Sequence, residues 1–293
     1  MTATHHRAFS LARIRAIASN TLLELIRQKV FYFMIVFAFL GIGASFLSSA
    51  FKFSDQFQVV RDVSLGAMSI FSWLLATLAT ALILPKDMED RTLYTILAKP
   101  VPRVEYLLGK LFGVLTLLFV AITLMSVVFA IVLYARQQVA ISEALSDYGP
   151  GPELNAQIEA IRAGAFQMSL VTAILIIFTK AAVCAALTLM LSTFATSWIF
   201  TVMISVAVFV AGHLQPLARQ MWMAGGGGSS LSKAFFGVVS VMIPDFQIFN
   251  IVDEIVVGTP VPAAMIAQSF AFGFGYVFIF TLVGYVLFSY REL

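Results

Sequence analysis

The chain has a single cysteine, Cys184, among 293 residues, so no disulfide can form within it. Its three histidines (His5, His6 and His213) are too few and too scattered for a histidine-rich metal site. Charged residues make up 11% of the sequence, against about 25% in ordinary soluble domains, which excludes a disordered chain and a typical soluble enzyme. No G-x-x-x-x-G-K-[ST] phosphate loop occurs. The nearest glycine-rich stretch, Gly225-Gly226-Gly227-Gly228-Ser229-Ser230, has no Gly-Lys step and reads as a flexible linker. What the sequence has in abundance is apolar: 60% hydrophobic residues and a mean hydropathy of +0.96. That composition fits an all-α integral membrane protein.

A hydrocarbon core of about 30 Å needs roughly 20 apolar residues in a helix. Runs almost free of charge place six spans at about 30–51, 63–85, 111–135, 165–191, 197–215 and 263–288. Of the 18 basic residues, 11 fall on one side: Arg7, Arg13, Arg15, Arg27, Lys29, Lys86, Arg91, Lys99, Arg103, Lys110 and Arg291. Six fall on the other, and Lys180 lies within a span. The basic excess predicts that both termini are cytoplasmic, in the cytoplasmic (inner) membrane. A seven-span alternative puts Lys180 at an interface and two short spans after it, which moves Arg291 outside. Residues 30–51 are expected to be an uncleaved anchor, because the preceding basic region and the run itself are too long for a signal peptide.

Residues 1–29 read as a cytoplasmic segment ahead of the transmembrane domain, 30–293. Within it Leu11, Ile14, Ala18, Leu22 and Leu25 recur at helical spacing, while Arg13, Glu24 and Arg27 take other faces. The pattern predicts an amphipathic helix at the membrane surface. The loop after the second span places Asp87, Glu89 and Asp90 before Arg91, then Leu93, Ile96 and Leu97 on one edge. Acids early and bases late suit a short helix dipole. Lys99-Pro100-Val101-Pro102 stops that helix, and a new one starts near Pro102 and runs through Glu105. The result is a stiff charged element tied to two membrane helices. It suits either force transmission or a plain solvated connector.

Three further features invite comparison with function. Lys180 lies too deep in its span to snorkel easily, and an intramembrane charge is a functional-site hypothesis by default; helix-end error or a carbonyl partner is the bland explanation. His213, Met221 and Met223 are the nearest approach to soft copper ligands, but methionines in so apolar a chain are mostly packing, and no metal site is assigned. Gly109-x-x-x-Gly113 permits close helix approach.

The residues Glu89-x-Arg91-Thr92, Ile96-Leu97-Ala98-Lys99-Pro100-Val101-Pro102-Arg103 and Glu105-Tyr106-Leu107-Leu108-Gly109-Lys110 carry a resemblance. So do Pro244-Asp245-Phe246-Gln247-Ile248-Phe249-Asn250 and the ending Phe288-Ser289-Tyr290-Arg291-Glu292-Leu293. Together they resemble permeases of type 2 ABC exporters, most of all the branch associated with multicopper-enzyme maturation, which includes the nitrous oxide reductase maturation permease. The resemblance implies a non-catalytic membrane subunit worked by a separate ATPase that binds ATP and Mg, usually with two permeases and two ATPases. It implies that the loop is a coupling helix. Asp87, Glu89, Arg91, Thr92, Leu93, Ile96, Leu97, Lys99, Pro100, Arg103 and Glu105 would then serve the ATPase contact. The N-terminal helix, with Arg13, Glu24 and Arg27, would be the connecting helix, and short re-entrant helices would precede the last span. Lys180 would be open to the substrate pathway.

The competing class is an ion-coupled secondary transporter or channel. It calls for intramembrane carboxylates or inverted repeats, and no Asp or Glu lies inside the six expected spans. An intramembrane enzyme calls for a catalytic arrangement that Ser205 and His213, eight residues apart, do not make.

Overall fold

A computed structural model describes residues 9–44, 53–89, 102–147, 151–195, 197–224 and 243–290, and every regular element among them is helical. Helix α1 (Leu11–Ile26) buries Ile14, Thr21 and Leu25 along one stripe and leaves its opposite face exposed. A two-residue elbow, Arg27-Gln28, leads to α2 (Lys29–Ala44). Then follow α3 (Phe53–Glu89), α4 (Arg103–Asp147), α5 (Pro152–Ala165), α6 (Ser169–Phe194) and α7 (Trp198–Ala224). A 3₁₀ turn (Phe246–Asn250) runs into the short α8 (Ile251–Val257), and α9 (Ala263–Tyr290) ends the bundle.

Five stretches of the described residues are long and apolar enough to cross a membrane: within α3, α4, the α5–α6 stretch, α7 and α9. The first expected span is described only as far as Ala44, as α2, whose apolar part is shorter. The second and third expected spans are the middles of longer rods. At 1.5 Å per residue, the 37 residues of α3 extend roughly 55 Å and the 45 of α4 roughly 68 Å, well beyond an apolar core of about 30 Å. The polar stretch after position 135 is the continuation of α4 to Asp147 followed, after the 148–150 gap in the described residues, by α5.

Helix α6 is the centre of the bundle because its side chains are small where neighbours press. Ala181, Ala182, Cys184, Ala185 and Ala186 are all buried, so α3, α4 and α9 approach its backbone closely. On α9, a methyl group at Gly284 would lie 3.2 Å from the Met190 Cα, and one at Gly273 would overlap Thr179. At the end of the bundle away from the 90–101 loop, Gly212 of α7 admits the chain at Pro244: a Cβ there would lie 2.5 Å from the Pro244 carbonyl oxygen. Phe246 drops into this notch, fully buried, and Trp73 stacks on Phe209 at 4.1 Å, joining α3 to α7.

The Gly109-x-x-x-Gly113 pair seats α1 against the first turns of α4. A Cβ at Gly109 would lie 2.7 Å from Ile17, and one at Gly113 would lie 2.7 Å from Thr21 and 2.9 Å from the Ala18 carbonyl oxygen. Backbone cannot yield as a flexible side chain can. Gly113→Val should therefore destabilise the purified protein by roughly 1–3 kcal/mol through overpacking, read as a lower Tm in detergent. Gly275→Ala, at a glycine with no atom within 4 Å of its would-be Cβ, should leave the Tm unchanged or raise it.

Candidate functional site: the charged base of the loop at residues 90–101

The C-terminal end of α3 and the first turns of α4 flank residues 90–101, so they form the base of the expected coupling element. Glu105, Gly109 and Gly113 are four residues apart and line the stripe of α4 that meets α1. Glu105 is fully buried. Arg13 grips it with two donors, Nε to Oε2 at 2.5 Å and Nη2 to Oε1 at 2.7 Å, and the Ser10 backbone N–H donates to Oε1 at 2.9 Å. This fork fixes the start of α1 on α4, and hydrogen bonding to Glu105 raises the pKa of Arg13 further above its already high value.

The adjacent stripe of α4, Tyr106 and Lys110, meets the end of α3. Lys110 Nζ lies 2.7 Å from Asp87 Oδ2, with both side chains nearly closed to solvent. The Tyr106 hydroxyl donates a short hydrogen bond to the same Asp87 oxygen. Glu24 of α1 joins from the other side, 3.1 Å from Lys86 and 3.8 Å from Lys110. Pro85, two residues before Asp87 in α3, has no N–H to offer the Ala81 carbonyl, so the helix lacks one backbone bond just before this cluster. Arg103 closes the arrangement. It donates to the carbonyls of Phe288 and Ser289 at 2.9 and 2.7 Å, while its guanidinium lies 5.7 Å from the Phe288 ring centroid. A cation on the last carbonyls of a helix meets both their unpaired acceptors and the negative end of the helix dipole. Tyr106 stacks on Phe288 at 5.9 Å, so α9 is held to the same spot.

Of the residues expected to serve an ATPase contact, Asp87 and Glu105 thus face inward as buried partners, and Arg103 reaches the end of α9. Glu89 ends α3. Arg91, Thr92, Leu93, Ile96, Leu97, Lys99 and Pro100 lie outside the described residues. On α1, Arg13 and Glu24 are tied to α4 and α3, whereas Arg27 is exposed. Sequence reasoning missed Tyr106 and Lys110 as members of the cluster. Their spacing of four, one position out of step with Glu105 and Gly109, was the available signal.

The remaining candidates lie toward the other end. Lys180 is half-buried on α6, its ammonium 5.6 Å from the Phe209 ring centroid. The His213 ring stacks on Phe246, with Nδ1 2.9 Å from the Phe209 carbonyl oxygen. The side chains of Met221 and Met223 are outside the described set, and among the described residues no group of three or more His, Cys, Asp or Glu is arranged to hold a metal ion.

The sequence profile of the ABC-2 family transporter protein matches residues 15–293, and the chain belongs to that family. No curated protein matches it. With several membrane-length apolar helices, this makes the chain the multi-pass permease component of an ABC transporter, a family whose members are generally non-catalytic and imply an ABC ATPase partner.

The Lys110–Asp87 pair gives a direct test of the cluster. Lys110→Met leaves Asp87 buried without that cation and should cost roughly 3 kcal/mol in equilibrium unfolding in mixed detergents. Adding Asp87→Asn should recover more than half of the loss, because the stranded charge is then removed.

Proposed function

We propose that this chain is the membrane half of an ATP-driven exporter of the cytoplasmic membrane, worked from the cytosol through the loop at residues 90–101. The observation that carries this reading is the cluster at the base of the loop. Asp87, Lys110, Glu24, Glu105, Arg13 and Arg103 tie α1, α3, α4 and α9 to one point beside it. A force applied to the loop reaches four helices together.

Residues 89–99 dock in a groove of the ATPase, which holds ATP and Mg. Arg91 and Glu89 supply ion pairs at that surface, and Leu93, Ile96 and Leu97 its apolar edge. Asp87, Glu105 and Arg103 act behind the contact, as the rivets that pass its movement on. The connecting helix α1 offers its exposed Arg27 to the ATPase while Arg13 and Glu24 hold it to the body. Closure of two ATPases on nucleotide turns two permeases from inward-facing to outward-facing around their shared cleft. Nucleotide binding supplies the energy, so the permease needs no catalytic side chain. Helices α7 and α9 keep most of their apolar residues exposed, which suits lipid contact and a second permease copy, identical or paralogous. The short re-entrant helices on the outer side would include the 3₁₀ turn and α8, with residues 225–242 outside the described set; Gly258, at φ 86°, lets α8 end with Thr259 bonding back to Glu254.

Co-expression with an ATPase encoded beside this chain should yield a complex stable through purification. Arg91→Glu should lower ATP hydrolysis by that complex at least fivefold while membrane insertion stays intact, since one reversed charge at an interface costs about 1 kcal/mol or more. Unchanged hydrolysis would remove Arg91 from the contact.

A further inference from the structure

A cavity of about 170 Å³ opens between α3, α6 and the turn leading into α8. Its charged lining is Lys180 of α6, Asp62 of α3 and Asp253 of α8. Lys180 makes no ion pair among the described residues, although both carboxylates line the same space. Its ammonium lies 5.6 Å from the centre of the Phe209 ring. Helical side chains lean toward the helix N terminus, and α6 begins at the end of the bundle away from the loop, so Lys180 leans into the cavity from below. Asp62 and Asp253 are exposed, which puts them at the rim. Ile176, Ile177 and Phe249 form apolar walls, and Ile70 lines one side while remaining 56% exposed, so the cavity also opens onto apolar surface.

This charge order selects its occupant. A simple anion would meet two carboxylates at the rim, and a simple cation would meet Lys180 at depth. A zwitterion satisfies both when its anionic group points inward and its ammonium outward. The space suits a headgroup rather than a whole drug-sized ligand, whose pockets usually exceed about 300 Å³. The apolar opening beside Ile70 leaves room for attached acyl chains. We propose that this cavity binds an amine-bearing phosphate zwitterion of the phosphoethanolamine type, with its phosphate on Lys180 and its ammonium between Asp62 and Asp253. The assignment goes beyond the transport reading and does not depend on the ATPase.

The test is native mass spectrometry of the purified full-length chain alone, titrated with phosphatidylethanolamine, phosphatidylglycerol or soluble glycerophosphoethanolamine. Wild type should bind phosphatidylethanolamine about tenfold more tightly than phosphatidylglycerol, the size expected of a charge-assisted hydrogen bond. Lys180→Met should lose about tenfold for both lipids, and Lys180→Arg should keep most of the binding, which separates a lost contact from a misfolded chain. Asp62→Asn with Asp253→Asn should keep phosphatidylglycerol binding and abolish the preference for the amine. Binding of the soluble compound as well would support the same site with a soluble source. Equal binding of phosphatidylethanolamine by wild type and a monodisperse Lys180→Met protein would overturn the proposal, and so would a wild-type preference for phosphatidylglycerol. Either result would leave the ATP-driven reading standing.

Discussion

Lys110 and Asp87 meet at 2.7 Å in a place almost closed to solvent, and the rest of the loop-side half of the molecule is arranged around that contact. Two buried charges are tolerated only when they find each other and their remaining bonds are filled. The Tyr106 hydroxyl fills one of them on Asp87, and Glu24 brings a second carboxylate to Lys110. The partners come from three helices, Glu24 from α1, Asp87 from α3, and Tyr106 with Lys110 from α4, so the need to satisfy the charges dictates how the three come together. The Arg13–Glu105 fork and the Arg103 grip on the end of α9 extend the same logic one turn outward. Apolar burial holds the bundle together; these bonds decide the register in which the helices meet beside the loop.

The two ends of the bundle therefore differ in kind. The loop end is cross-linked by directional, charge-assisted bonds and by the close glycine seat of α1, which suits a part that must move as one body. The opposite end is built of aromatic stacking, a glycine notch and short helical turns, with a cavity lined by a cation that makes no ion pair among the described residues. Such packing adapts more readily than a fork of hydrogen bonds. In an exporter the first end would receive force and the second would open and close on cargo.

Much of this was legible in the sequence. The near-absence of charge pointed to the five stretches that are membrane-length helices, and the Pro-x-Pro corner marked where α4 starts. The length of α3 and α4 was not legible, because polar residues such as Arg136 and Gln137 look like loop when only hydropathy is followed, although a helix continues through them. Gly109 and Gly113 announced a close approach without naming its partner; spacing along one helix carries no information about which helix arrives. Glu105 and Asp87 looked like surface charges because their partners are distant: Arg13 lies 92 residues from Glu105 in sequence. Lys180 stood out by its depth, while nothing in the sequence pattern joins it to Asp62 or Asp253, and only the packing of α3 and α8 against α6 brings all three to one cavity.

With the buried pair beside the loop holding their register, α1 and α4 should move as a single piece. Spin labels at the exposed positions Asn20 and Thr116, in the full complex with its ATPase, would report the distance between these helices by double electron–electron resonance. One narrow distance distribution, the same with and without nucleotide, is expected, and a broadened one when Asp87 is replaced by Asn. A nucleotide-dependent change of several ångströms in the wild-type distance would show that α1 moves independently of α4 and would contradict it.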